Sequence, residues 1–137
     1  MNMAQRVTQK AMETGIYHGY IFTFLLALPL QLIGHWSLMI MAGIAGGVTV
    51  KKFRDAFIAG FLGVGTAWAI IFLILNTFAH AYDIGEFFAA FIGLPGFGHV
   101  IVSISILIGG LLGASGAIIG RAITELLEDV RPRAPED

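Results

Sequence analysis

Residues 56 to 79 read AFIAGFLGVGTAWAIIFLILNTFA, and no residue from Ala56 to Ala79 is charged. A helix rises about 1.5 Å per residue, so this run is long enough to cross the ~30 Å hydrocarbon core of a bilayer. It is the clearest span in the chain, and the cluster Lys51-Lys52-Phe53-Arg54-Asp55 marks where it begins. Working outward from it, three further apolar stretches suggest a bundle of four transmembrane helices. The first runs from about Ile16 to Ile33, with Pro29 near its far end as a predicted kink. The second, Trp36 to Val50, has about fifteen residues against a typical twenty, and tilt or local thinning of the bilayer would accommodate it. The fourth runs from about Val100 to Gly120 and continues into an amphipathic stem over 121–131. There Ile123, Leu126, Leu127 and Val130 share one helical face. Pro132 and Pro135 are expected to end that stem and leave a loose tail.

Composition agrees with a membrane chain. Over 137 residues the hydrophobic fraction is 57% and the charged fraction 12%, whereas a soluble domain carries about a quarter charged residues. Mean hydropathy is +0.84. So few charges cannot cover a globule in water, and a lipid-facing surface removes the need. The length allows one domain, residues 1–137. Arg6 and Lys10 precede the first apolar run, as cations precede the core of a signal peptide. The run is long and leads into Gly34-His35-Trp36-Ser37 without a small-x-small cleavage site, so a retained helix is expected.

Between the third and fourth spans lies Ile84 to Leu94, followed by Pro95-Gly96-Phe97-Gly98. This segment is too short to cross and is expected to be an interfacial or re-entrant helix. Asp83, with Glu86 three residues later, reads as an N-cap with its capping-box partner. Phe87, Phe88, Phe91 and Phe97 would lie at the headgroup boundary or cover the end of the bundle.

Charge sets the expected orientation, because short cytoplasmic loops retain lysine and arginine. All eight cations fall on one side of the four-span arrangement. Arg6 and Lys10 precede span one, Lys51, Lys52 and Arg54 join spans two and three, and Arg121, Arg131 and Arg133 follow span four. The opposite loops hold none. Both termini are therefore predicted to be cytoplasmic in a multi-pass protein of the cell membrane. Lys51, Lys52 and Arg54 would face anionic headgroups, although the orientation rule already accounts for them.

Small residues at four-residue spacing let helix backbones approach closely in lipid. Gly43 with Gly47, Ala56 with Gly60, Ala59 with Gly63, Gly109 with Gly113, and Gly116 with Gly120 form such pairs. They would hold the chain's own helices together, or some would face another subunit. A faint likeness between 42–47 and 109–114 suggests two parallel helical hairpins.

Little chemistry is visible. Without cysteine, disulfides, thiolate metal sites and cysteine nucleophiles are excluded. No ionisable group sits in the middle of a span, which argues against a proton- or ion-coupled carrier. His18, beside Tyr17 and Tyr20, reads as part of an interfacial aromatic belt. Thr66, Asn76, Ser103, Ser105 and Ser115 can satisfy themselves on helix backbones. His35, His80, Asp83, Glu86 and His99 gather on the predicted outer side, and imidazole with carboxylate suits zinc, copper or non-haem iron. Capping already explains the two carboxylates. No base, nucleophile or phosphate loop suggests an enzyme, no cofactor is implied, and no basic stripe suggests nucleic acid. The expected role is a non-catalytic accessory, assembly or scaffold subunit, in contact with membrane lipid and with other subunits or its own copies. The alternatives are a homo-oligomeric channel or passive transporter, and an outer-face metal site.

Overall fold

The computed structural model describes residues 3–130, and from Ala4 to Thr14 the backbone alone. The expected loose tail, with Arg131, Pro132, Arg133 and Pro135, lies outside the described residues. Among these residues there are five helices and no strand: α1 Met3–Leu32, α2 Ser37–Val48, α3 Phe53–Ala79, α4 Ala81–Phe91 and α5 Gly98–Val130. Three are long and apolar enough to cross a membrane, namely α1 from Gly15 to Leu32, α3 and α5.

The boundaries have local causes. α1 starts ahead of its apolar part, and Pro29 sits in its last turns without ending it. α2 has 12 residues, roughly 18 Å of helix. It closes tightly: the Thr49 hydroxyl donates to the Gly46 carbonyl at 2.7 Å, and the Thr49 and Val50 amides donate to the Gly46 and Gly47 carbonyls. Lys52 then turns the chain in extended conformation, and α3 begins with Asp55 in its first turn, where a carboxylate complements the helix dipole. At the far end His80 takes φ 50° and ψ 46°, a left-handed conformation that ends one helix and starts the next in a single residue.

Two expectations change here. The N-cap of α4 is His80, whereas Asp83 stands inside the first turn and caps nothing with its side chain. The Asn76 side-chain oxygen instead accepts the Tyr82 amide of α4's first turn, at 3.0 Å. Glu86 is not a capping-box partner either. Its carboxylate reaches across to the chain entering α5, accepting the amide of Gly96 and, at 2.8 Å, that of Gly98. The spacing rule failed because a turn centred on His80 shifted the helix start by three residues. The stem, treated separately in the sequence, is the uninterrupted end of the 33-residue α5.

The helices alternate in direction. Gly19 of α1 lies beside Val50, and Gly46 beside Thr23, so α2 runs back along α1. α3 returns with Ala59 near Gly19 and Gly63 near Thr23, and α5 runs back again with Gly109 at Trp68 and Gly113 at Gly60. Around the bundle the order is α1, α3, α5, α2, with α2 also touching α3, and α4 resting on the start of α5. The chain thus has one end at Lys51, shared with the start of α1 and the far part of α5, and another at His80.

The interior is made of small side chains. Ala27, Ala42, Ala56, Ala59, Val64, Ala67, Ala89, Ala114 and Ala117 are fully buried. Large ones point outward, as with Leu73, Phe78, Phe87 and Phe91, which are 69%, 82%, 67% and 81% exposed. Water penalises that arrangement by roughly 25 cal/mol per Å² of apolar surface, and hydrocarbon does not.

Candidate functional site

At the Lys51 end the glycines meet backbone. A Cβ on Gly43 would strike the Gly113 carbonyl, one on Gly47 would stand 2.7 Å from the Ala117 Cα, and one on Gly113 would stand 2.6 Å from the Gly60 carbonyl oxygen. On Gly60 it would lie 2.6 Å from the Ala117 Cβ. Gly116 and Gly120 abut Ile40 and Ile44 of α2, Gly63 abuts Thr23, and Gly109 abuts the Trp68 indole. Each of these eight positions is therefore filled by another helix of the same chain. All eight are buried within the chain. Two glycines that the four-residue spacing did not single out join them: Gly19 meets Val50 and Gly46 meets Thr23. Thr23 is buried with its hydroxyl donating to the Gly19 carbonyl at 2.7 Å. The signal for this pair was available in the small residues flanking α1 and α2, but its register depends on the hairpin.

Lys51, Lys52 and Arg54 are exposed at the same end. Arg121 joins them from α5, with its guanidinium 6.0 Å from the Phe53 ring centroid and 3.7 Å from the Glu128 carboxylate. Its side chain is only 12% exposed, and its Nε is buried without a hydrogen-bond partner.

The His80 end is more open. His35 sits in the α1–α2 loop with its Nδ1 3.2 Å from the Ser37 hydroxyl. His80 is exposed at the α3–α4 junction and Asp83 is exposed on α4. His99 begins α5 with its ring 5.9 Å from that of Phe97. Glu86 is engaged with two backbone amides. Among the described residues no three histidine, aspartate or glutamate side chains are grouped to hold a metal ion. The structure does not bring this candidate set together.

What this end does contain is space. One groove of about 360 Å³ lies between the second half of α3, α4 and the start of α5, bordered by Asn76, Tyr82, His99 and Ser103. A second cavity of about 290 Å³ lies between the last turn of α1, the following loop, the start of α2 and α3. Its lining includes Gln31, Trp36, Trp68 and Phe72, none of which the sequence pattern marked. No family model, curated protein or solved structure matches the chain, so its function is argued from the geometry alone.

Proposed function

We propose that this chain is a small integral membrane protein, a non-catalytic accessory or scaffold subunit of a membrane complex. It crosses the bilayer four times with both termini in the cytoplasm, and α4 lies at the opposite interface. The carrying observation is the backbone-to-backbone closure of the Lys51 end by glycine and alanine. Packing of that kind makes a rigid post and leaves no route through a single bundle. It also directs the large apolar side chains outward, towards lipid and neighbouring subunits.

The alternating helices support four passes. α2 is short, yet Val50 reaches the level of Gly19, just inside the apolar part of α1. Thinning of the bilayer or tilt absorbs the remainder. Lys51, Lys52, Arg54 and Arg121 stand at one end, which is the cytoplasmic end by the retention of positive charge.

The test is purification in a gentle detergent followed by native mass spectrometry. Other subunits in fixed ratio support the reading. A bare monomer counts against it, and a homo-oligomer that passes solute in liposomes replaces it with a channel. Because the chain lacks cysteine, Lys51→Cys and Leu94→Cys can be probed separately with an impermeant maleimide in intact cells. Labelling of Leu94→Cys alone is expected, and the reverse would invert the topology.

A further inference from the structure

The cavity at the end of α1 combines three features. Its walls are aromatic and apolar: Trp36, Trp68, Phe72, Met39, Ile71 and Leu75. These include both tryptophans of the chain. It carries no fixed charge, since His35 is the sole titratable side chain in its lining. And it is bordered by Gln31, whose amide oxygen and nitrogen are both buried without a hydrogen-bond partner. A buried amide left unpaired is costly, more so next to hydrocarbon. The indole of Trp68 does not relieve it, because that N–H donates to the Met39 sulfur at 3.1 Å.

We propose that this cavity binds a neutral, flat, lipid-soluble ring bearing carbonyl or hydroxyl oxygens, a ligand of the quinone class. Each part of that description has a cause. Two indoles and a phenyl in the lining favour a planar aromatic or quinonoid body. The absence of fixed charge excludes an ionic headgroup, whose desolvation nothing in the lining would offset. The Gln31 amide supplies a donor to a carbonyl and an acceptor to a hydroxyl. That amide is held by no hydrogen bond, so turning it into the cavity sacrifices none. The volume suits a single ring, with any tail leaving sideways into lipid. Binding alone is proposed, with no electron transfer.

The experiment uses the full chain in detergent with duroquinone, a tail-less quinone, as the probe. Both tryptophans border the cavity, so intrinsic fluorescence reports on its occupancy directly. Saturable quenching is expected in the unaltered protein. Gln31→Leu is expected to weaken it at least tenfold while melting at or above the parent temperature, because the substitution removes an unpaired amide. Ile71→Phe, which fills the cavity, is expected to abolish saturation while leaving Gln31 in place. Quenching that rises linearly with duroquinone, or saturates equally in both variants, would overturn the proposal. So would a lower melting temperature for Gln31→Leu together with undiminished binding in Ile71→Phe, since Gln31 would then be structural and the cavity unused.

Discussion

The two ends of this bundle solve the same packing problem in opposite ways. At the Lys51 end, Gly43, Gly47, Gly60, Gly113, Gly116 and Gly120 bring α2, α3 and α5 to backbone contact. At the His80 end the helices part, Trp68 and Phe72 take the place of glycine, and two cavities remain between them. In water such an opening would be closed by the drive to bury apolar surface. In lipid that drive is absent between helices, and close van der Waals contact is what holds them. Cohesion therefore concentrates where side chains are smallest, and space persists where they are large. The comparison teaches that glycine marks the closely packed end and large aromatic side chains mark the end where space remains.

The comparison breaks most decisively at Gly113, where any side chain meets both Val64 and the Gly60 carbonyl. Gly113→Lys adds bulk and a charge to a closed seam, and a loss of more than about 3 kcal/mol is expected. Size-exclusion chromatography should show aggregated rather than monodisperse protein. An unchanged elution volume and helicity would mean that the seam is looser than its geometry.

A smaller effect is expected at the link between α4 and α5. Glu86→Ala strips a carboxylate from two backbone amides, at a cost of about 1–2 kcal/mol. Faster hydrogen exchange at Gly96 and Gly98 should accompany it. Asp83→Ala, by contrast, touches only the first-turn dipole and should cost about 0.5 kcal/mol or less. Equal losses for the two would restore the capping box that the structure replaces.

The smallest effect belongs to the outward face of the open end. Leu73 is 69% exposed, and on the proposed membrane reading its side chain meets hydrocarbon whether the helices are associated or apart. Leu73→Ala should shift stability in an SDS titration by no more than about 0.5 kcal/mol. A large loss would show that a partner covers α3 there, which would itself sharpen the assignment as a subunit.

Much of the helical layout was legible in the chain. The third apolar run was visible as long-range composition, although the helix begins at Phe53, ahead of Arg54. The glycine pairs were visible too, because close approach demands a particular residue at a particular spacing. The 84–94 helix was placed correctly in outline, with observed bounds Ala81–Phe91. Its capping was misread, because a left-handed histidine is a rare way to join two helices and leaves no propensity signal. The metal candidates were misleading for a related reason. Spacing by three suggests one helical side, but Glu86 was drawn to the amides at the start of α5, and His35 and His99 border separate spaces.

Taken alone, the sequence determined that the chain is helical and which small residues are spaced for close approach; it suggested four crossing helices, where the structure has three that are long and apolar enough. Those properties follow from hydrophobic length and side-chain size, which are local. The tertiary structure decided which glycine faces which helix, that all eight marked glycines are used within one chain, and that Gln31 and both tryptophans border one cavity. These outcomes depend on the register between helices far apart in sequence. Register is set by the sum of many weak contacts across α1, α2, α3 and α5, and no single stretch of residues carries it.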